Sequence, residues 1–592
     1  MRFLEKDLKK VVVRDIIEEK RGAHFMKKLT WLLSLACAGC LAFGLTACDF
    51  LPLNSDSSTG KISSSEPTFS ENLAYSLSED NTYYSVTGIG SCTDSNVVIP
   101  STYEGLPVKV IERGAFANNE TMQSIVLADS ITTIYDEAFA YCKNLNSVTI
   151  PDSLTYIHPY VFNTCSNLTD IHVVSLEAWC NILFANEYSS PLRYADNFYV
   201  NNELLTELVI PESISTIQSY AFFGYSKLTS VVFHNGVTEI KADAFKYCSK
   251  LTDVYAPDFS SWLAISFKNS YSNPLQYAEN WYVNNTPVTE LVIPEGVTSV
   301  KPYILGGDVN VTKATIPSHV VSIESCAFLG NEKLTSVVIS EGVTTIAGWA
   351  FGECTSLTSI LIPDSVTAIG YAAFSDCSNL ETVTIGDGVT AIQDKAFANC
   401  INLTEITIGK SVASFGLFVF DRCEKLTRVN VTDLSAWCDI NFQSNPLSIA
   451  KKLYVNGELV TDLIIPDTVT EIKYNAFGWC ESLTSVIIDN NVTKIGTWAF
   501  TNCINLTTAV VGDGVTRIDE YAFSFCTALT DVTIGENVNN ISRLAFQSCD
   551  LLANATFKNP IGWKSGSSSL ELSDTKTAAD ILKAAHYDLI RE

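Results

Sequence analysis

The chain has 592 residues, of which 47% are hydrophobic and 17% are charged, so most of it carries enough apolar side chains to build a folded core. Its formal net charge of −27 disfavours nucleic acid and anionic membrane surfaces as the main partner. The length exceeds that of one globular core, but a repeat array grows in one direction and need not divide into separate domains.

The amino end carries an export signal behind an extension. Residues 1–25 have mixed charge, which is atypical of such a signal, and we expect them to precede the true initiator, Met26. From there Met-Lys-Lys leads into an apolar run of about 16 residues and then into Leu45-Thr46-Ala47-Cys48. This order predicts a cleaved signal over 26–47, because the run is shorter than the roughly 20 apolar residues of a membrane span.

The end of this signal resembles the lipobox of bacterial lipoproteins, in which cleavage leaves a lipid-bearing cysteine as the first residue. The resemblance implies that Cys48 carries the lipid and that the protein is exported, anchored to the bacterial cell envelope and exposed at the surface. Cys40 matches less well, because Cys37 stands where a lipobox has Leu. Residues 48–74 are expected to form a flexible tether, since residues 54–70 are rich in Ser, Thr, Asp and Pro.

From residue 75 to 557 one pattern returns with a period of 23 residues. Its unit reads Leu-x-x-Val-x-Ile-Pro-x-x-Val-Thr-x-Ile-x-x-x-Ala-Phe-x-x-Cys, and the Phe position occurs fourteen times, for example at Phe351, Phe374 and Phe397. Such a period is typical of a solenoid, in which no unit buries its apolar face alone. The β-branched Val-x-Ile part favours a short strand, and the Ala-Phe part fits a short helical turn.

These repeats closely resemble leucine-rich repeats, and the form with Ile-Pro and Ala-Phe-x-x-Cys is similar to the BspA-like class of bacterial surface proteins. The resemblance implies an α/β repeat fold, a right-handed solenoid with parallel short strands on its concave side and short helical turns on the other. Residues 75–90 are placed to cap the first repeat. Residues 558–592 are placed to cap the last one, with helical apolar spacing from Asp574 to Ala585.

The period is broken three times by one type of block, near residues 171–211, 254–294 and 429–466. Each block is predicted to be a long-form repeat that adds a short helix, as Ser175 is placed to cap one, and a hairpin, as Asn456-Gly457 is typical of a two-residue turn. For its aromatic residues we expect core packing, with exposed stacking on sugars as the alternative. The corresponding residues are Trp179, Phe184, Pro191, Ala195, Tyr199 and Pro211, then Trp262, Phe267, Pro274, Ala278, Tyr282 and Pro294, then Trp437, Phe442, Pro446, Ala450, Tyr454 and Pro466.

Eighteen cysteines in an exported chain raise the questions of disulfides and of metal binding. One repeat column that holds many of them also accepts Asn119, Tyr225 and Asn331, so we expect a stack of small buried side chains and leave isolated disulfides open. The one Cys-x-x-Cys lies inside the signal, and no grouping of nucleophile, base and orienting residue recurs. We therefore predict no metal, no cofactor and no enzymatic activity. The column cysteines are Cys142, Cys165, Cys248, Cys354, Cys377, Cys400, Cys423, Cys480, Cys503, Cys526 and Cys549.

The residues outside this core column suggest where a ligand binds. The candidate positions are Thr358 and Ser359 on a strand and Tyr199, Tyr282 and Tyr454 in the long blocks. The BspA-like resemblance implies binding to an extracellular protein or a cell surface, as in adhesion to host matrix proteins or to other bacteria. The alternative is a glycan-binding or envelope-scaffold lipoprotein.

Overall fold

A computed structural model describes residues 69–307 and 309–591. The expected start extension, the signal, Cys48 and the tether up to residue 68 lie outside these described residues. The chain winds into stacked coils, in which strands 23 residues apart pair in parallel, such as Ser359 with Thr382 and Thr382 with Glu405. The predicted solenoid of leucine-rich-repeat type is confirmed.

The Val-x-Ile part of each repeat forms a strand of three or four residues, and these strands together make what we call the long-strand face. Side chains alternate between core and solvent, so that Ile360 and Ile362 are buried while Ser359 and Leu361 are exposed. The strands of this face are Asn96–Val98, Ser124–Val126, Ser147–Thr149, Asp170–Val173, Asn197–Val200, Glu207–Val209, Ser230–Val232, Asp253–Ala256, Asn280–Val283, Glu290–Val292, Lys313–Ile316, Ser336–Ile339, Ser359–Ile362, Thr382–Ile385, Glu405–Ile408, Arg428–Val431, Leu453–Val455, Asp462–Ile464, Ser485–Ile488, Thr508–Val511, Asp531–Ile534 and Asn554–Phe557.

A second face of parallel strands, the short-strand face, follows the Val-Thr-x-Ile part of each repeat. Its strands are mostly only two residues long, which is too short to leave a periodic signal in the sequence, and we did not predict it. They are Leu106–Ile111, Thr133–Ile134, Tyr156–Ile157, Leu183–Phe184, Thr216–Ile217, Glu239–Ile240, Ser266–Phe267, Ser299–Val300, Ser322–Ile323, Thr345–Ile346, Ala368–Ile369, Ala391–Ile392, Ser414–Phe415, Asn441–Phe442, Glu471–Ile472, Lys494–Ile495, Arg517–Ile518 and Asn540–Ile541.

The Ala-Phe segments, expected to be short helical turns, are tight turns without a regular helix. Two residues of a turn have positive φ angles, for example Ala372 at 51° and Asp376 at 64°. A right-handed helix cannot continue through left-handed residues, which explains the difference. Regular helices lie elsewhere, at Leu176–Asn181, Phe259–Ala264, Leu434–Cys438, Leu447–Ala450 and Thr575–Ala584, with 3₁₀ segments at Pro191–Arg193, Ser270–Ser272 and Pro274–Gln276. No described helix is long and apolar enough to cross a membrane.

The Phe column forms a ladder of stacked rings inside one continuous core. The ring centroids of Phe351 and Phe374 lie 5.3 Å apart with planes at 7°, and those of Phe374 and Phe397 lie 5.4 Å apart with planes at 6°. This distance is close to the spacing between neighbouring strands, about 4.8 Å, so each ring sits over the ring of the preceding coil.

The described chain has more coils than Phe positions. The short-strand face has eighteen strands, against fourteen Phe residues in the ladder column. One additional coil carries Leu305 in place of Phe, and the other three are the long-form repeats. In a regular coil the N–H of Phe139 donates to the carbonyl of Val161, the residue just before the next Phe. In the first long-form repeat the N–H of Phe162 donates to the carbonyl of Tyr188. The residue after Tyr188, Ser189, therefore occupies the Phe position.

The cysteine column is buried, and its members are free thiols. The thiol of Cys377 donates to the carbonyl oxygen of Phe351 in the preceding coil at 3.1 Å, and nine other column thiols make the same bond. Asn331 makes the equivalent bond from its amide to the carbonyl of Leu305, whereas the hydroxyl of Tyr225 donates to the carbonyl of Leu205, outside the Phe column. The predicted buried stack is confirmed, but the sequence did not reveal that ten of the eleven column thiols donate a hydrogen bond to the preceding coil.

Both ends of the described solenoid are covered. At the start Ala74–Leu77 and Tyr84–Gly88 form an antiparallel pair that joins Leu106–Ile111, which also pairs with Thr102–Tyr103. At the other end the helix predicted from apolar spacing is present at Thr575–Ala584, and the side chain of Asp574 caps its first turn. The last strands, Trp563–Ser565, Ser568–Ser569 and Leu589–Arg591, join the short-strand face at Asn540–Ile541. These segments cover the apolar interior of the terminal coils, and Ala578, Ala579 and Leu582 of the helix are buried in the same core.

The buried thiols should make stability depend on alkaline pH. Burial raises the pKa of Cys377 to about 12 and that of Cys142 to about 11, from an ordinary value of 9.0. Their contribution is present in full below pH 9 and is lost as the pH rises towards the folded pKa, because only the unfolded thiol ionises there. Each such thiol should lower the free energy of unfolding by about 1.4 kcal/mol per pH unit in that range.

We therefore expect a lower urea midpoint at pH 10 than at pH 8, measured by circular dichroism. Replacing Cys354, Cys377 and Cys400 by Ala should reduce this difference between the two pH values, whatever the variant does to stability at pH 8. An unchanged difference would contradict the assignment.

Candidate binding surface at the three inserted strands

Apart from the terminal Asn554–Phe557, three strands of the long-strand face have no counterpart in the short-strand face, and we call these three the inserted strands. They are Asn197–Val200, Asn280–Val283 and Leu453–Val455. Each pairs in parallel with the strand before it and in antiparallel with a two-residue return strand, which lies at Glu203–Leu204, Thr286–Pro287 and Glu458–Leu459. Since the chain turns back at once, the addition enlarges one face only.

Local turn chemistry produces these hairpins. Asn456 and Gly457 have φ angles of 49° and 85°, which confirms the two-residue turn predicted from Asn-Gly. In the first block Asn201 and Asn202 adopt the same left-handed conformation, with φ angles of 52° and 64°. Asparagine tolerates positive φ better than most residues, so Asn-Asn supports the same turn.

The tryptophans of the long coils are part of the core, as predicted. Their indole N–H groups donate to the carbonyls of Ala221, Ile304 and Ala476 at 3.0, 3.0 and 2.9 Å. In regular coils the carbonyl at this position accepts the backbone N–H of the Phe residue in the preceding coil, as Ala373 accepts that of Phe351. Each tryptophan thus replaces a donor that the irregular coil does not provide. The three are Trp179, Trp262 and Trp437, each 1% exposed.

The predicted Tyr199, Tyr282 and Tyr454 all lie on inserted strands, half-buried on the outer side of the long-strand face. Tyr199 stacks on His172, with ring centroids 4.7 Å apart and planes at 7°. Tyr282 stacks on Tyr255 at 4.6 Å and 11°. The guanidinium of Arg428 lies 4.0 Å from the ring centroid of Tyr454. We call these contacts the three tyrosine pairs.

Each tyrosine pair adjoins an exposed apolar residue of its hairpin. Tyr199 is registered with Leu204, Tyr282 with Pro287 and Tyr454 with Leu459. Leu204 and Leu459 are 41% and 43% exposed. In protein interfaces, an aromatic side chain that packs on a neighbour with one face and lies beside an apolar residue is typical of a binding hot spot.

The tyrosine side chains of the pairs are uncharged, and charged residues lie beside them. Burial, followed by the carboxylate of Asp253, raises the pKa of Tyr255 to about 12, and burial likewise raises the pKa of Tyr282. Both phenols are therefore neutral at physiological pH. At the third pair Arg428 lies 3.4 Å from Glu405, so the charge that lies over the Tyr454 ring is balanced by a carboxylate.

An apolar stripe follows the third hairpin directly. Ile464, Ile487 and Val510 occupy the same position on three successive strands and are 65%, 47% and 39% exposed. Contiguous exposed apolar side chains of this kind mark interaction sites. The stripe extends the candidate surface from Tyr454 towards the carboxyl end, and sequence analysis did not single it out, because each residue alone fits the ordinary strand pattern.

Thr358 and Ser359 are exposed on the long-strand face, but the structure does not bring them to a tyrosine pair. Ser359–Ile362 lies four strands from the strand of Tyr454, which is about 19 Å at 4.8 Å per strand. The carbonyl of Thr358 accepts the N–H of Glu381, so its backbone serves coil stacking. Within residues 69–307 and 309–591 no group of His, Cys, Asp and Glu side chains is placed to hold a metal ion.

The sequence profile of the family described as BspA type Leucine rich repeat region (6 copies) matches residues 90–195, 193–328, 298–427 and 447–563. These matches cover more than half of the chain, so the protein belongs to the BspA-type leucine-rich repeat family. A comparison with curated proteins gives no match.

Among solved structures, one similar fold is a leucine-rich repeat protein from Bacteroides ovatus, with 21% identity, a TM-score of 0.41 and coverage of 78% of this chain and 99% of that one. A leucine-rich repeat protein from Eubacterium ventriosum has 19% identity and a TM-score of 0.38, covering 66% of this chain and 94% of that one. A leucine rich cell surface protein from Faecalibacterium prausnitzii has 19% identity and a TM-score of 0.24, covering 84% and 96%.

The long coils offer a matched pair of stability variants. Asn273 donates from its amide to the carbonyl of Tyr303 at 2.8 Å, whereas the equivalent Ser190 has a buried hydroxyl with no partner among the described residues. Ser190→Asn should therefore raise the free energy of unfolding by about 0.5–1.5 kcal/mol by supplying the missing bond to Tyr220. Asn273→Ser should lower it, and both are measured by urea unfolding at pH 7. A loss of stability in Ser190→Asn would refute the equivalence.

Proposed function

We propose that this protein is a bacterial surface protein that attaches to an extracellular protein through its long-strand face. One observation carries the proposal: the chain departs from its 23-residue rule three times, and each time it adds a strand with a tyrosine pair to that face alone. Each inserted strand buries a residue in the core, namely Phe198, Trp281 or Leu453, and holds its tyrosine on the outer side of the face. The finer form of the proposal is adhesion to a host matrix protein or to other cells.

The chemistry of the surface supports a protein partner. Tyrosine and arginine are enriched among the residues that dominate protein interfaces, and half-buried tyrosines contribute large contact areas at a small cost in side-chain entropy. Three such centres spread along a solenoid suit a large, extended contact area. The net charge of −27 favours partners that carry positive charge near the site.

We further propose that Cys48 anchors the protein to the envelope through lipid, with residues 26–47 removed on export. The basis is the Leu-Thr-Ala-Cys sequence and the length of the apolar run before it. An envelope anchor would present the solenoid to partners outside the cell. Glycan capture is the alternative function, and the binding experiment below separates the two.

Removing the aromatic centres tests the binding face. The soluble chain 49–592, which lacks the proposed lipid-bearing Cys48, is titrated over immobilised matrix proteins and whole cells by surface plasmon resonance and cell-binding assays. Replacing Tyr199, Tyr282 and Tyr454 by Ala should weaken binding at least about tenfold, since interface tyrosines are common hot spots. A matched control replaces the exposed tyrosines of the turns, Tyr141, Tyr160 and Tyr247, by Ala and should bind as the unchanged protein does.

Two results would overturn the proposal: no binding to any protein or cell, or an equal loss in the control variant. Binding to polysaccharide alone, lost in the Tyr199, Tyr282 and Tyr454 variant, would favour the glycan alternative.

Labelling with an alkyne fatty acid tests the anchor. Cells that express the full chain should give a labelled protein, and Cys48→Ala should abolish the label and release the protein from the membrane fraction. Cys40→Ala is the control and should keep the label. Label retained in Cys48→Ala would show that the lipid is attached elsewhere or that the signal is not a lipobox.

A further inference from the structure

A groove in the short-strand face lies apart from the tyrosine pairs. It has a volume of about 330 Å³ and crosses the strands Ala391–Ile392 and Ser414–Phe415. Tyr371 lies at one end and Gln443 at the other. The volume is at the lower end of the range for small-ligand sites, about 300–1,000 Å³, and corresponds to one or two sugar rings.

Side-chain size explains why a groove forms here. The outward residues of the two strands are Ala391 and Ser414, whereas coils further on carry Glu471, Lys494 and Arg517 at the same position. The small pair leaves the groove floor open.

Gly416 allows an acidic group to line the groove. A Cβ atom at this residue would lie 2.3 Å from Oδ1 of Asp394, so any side chain there would displace the carboxylate. Oδ1 of Asp394 accepts the N–H of Leu417 at 2.8 Å, which fixes the carboxylate and leaves its second oxygen as an acceptor.

An aromatic ring and amide groups complete the lining. The side chain of Tyr371 is 42% exposed, and its backbone N–H donates to Oε1 of Gln393 at 3.0 Å. This bond holds the Gln393 amide so that its NH₂ group remains a donor. The exposed amide of Gln443 and the hydroxyl of Ser414 add further donors and acceptors.

We propose that this groove binds a neutral saccharide of one or two rings. The C–H face of a pyranose packs on the ring of Tyr371, while its hydroxyls donate to Asp394 and accept from the amides of Gln393 and Gln443. Since Asp394 lines the groove and no Lys or Arg does, uronic and sialic acids are disfavoured. The site is independent of protein binding by the long-strand face.

The test uses the soluble chain 49–592 and a panel of immobilised neutral glucose, galactose and mannose di- and trisaccharides. Uronic-acid and sialic-acid sugars form the anionic part of the panel. Sugars that bind are then titrated by calorimetry. A glycoprotein with and without enzymatic removal of its glycans distinguishes a protein-borne sugar from a free polysaccharide.

We expect binding to at least one neutral sugar, weakened about tenfold or more in Tyr371→Ala and in Ala391→Trp, which fills the groove. The control Thr345→Trp places the same bulk at the same position two coils earlier and should bind normally, as should the Tyr199, Tyr282 and Tyr454 triple variant. Thermal melting checks that each variant is folded.

Absence of neutral-sugar binding up to about 10 mM, a limit that corresponds to very weak affinity, would overturn the proposal. Unchanged affinity in Ala391→Trp, or tighter binding of the anionic sugars, would also overturn it. The protein-binding proposal would be unaffected by each of these results.

Discussion

Every coil of this solenoid depends on hydrogen bonds that it shares with the neighbouring coil. In a regular coil the N–H of Phe351 donates to Ala373 of the following coil, and the thiol of Cys377 donates back to Phe351. A period of 23 residues places each donor opposite its acceptor, whereas a change in coil length leaves a buried carbonyl unpaired at a cost of about 1–3 kcal/mol. The long coils meet this constraint with the indole N–H groups of their tryptophans, as in Trp179 and Ala221. The chain can therefore change coil length without losing its core.

The same constraint limits where the surface can vary. Inserted residues must leave the coil and return to the strand position that the next repeat requires, and a hairpin with a two-residue turn does this within the long-strand face. The inserted hairpins carry Tyr199, Tyr282 and Tyr454. Each of these tyrosines contacts a side chain of the preceding strand. The short-strand face varies by a different route, through the size of its outward residues, and the groove at Ala391 and Ser414 results.

Features set by local sequence were predictable. The period, the strand alternation, the Ser175 cap and the Asn456-Gly457 turn each depend on residues close together in the chain. Features that depend on register between coils were not. His172 and Tyr199 are 27 residues apart, and their stacking follows only when the strands are aligned; the donor role of the cysteine column likewise appears only when Cys377 is placed beside Phe351.

The Phe ladder divides the described solenoid into four runs, which end where the long coils begin. One run of five rings extends from Phe328 to Phe420 and another of four from Phe477 to Phe546, while Phe222 stacks only with Phe245 inside its own run. In a linear array each interface contributes separately to stability. Under mechanical load along the chain, the Leu305 coil, which has no aromatic ring in the Phe column to stack on either neighbour, would therefore separate before the five-ring run, and the molecule would lengthen in steps while its longest runs stayed folded.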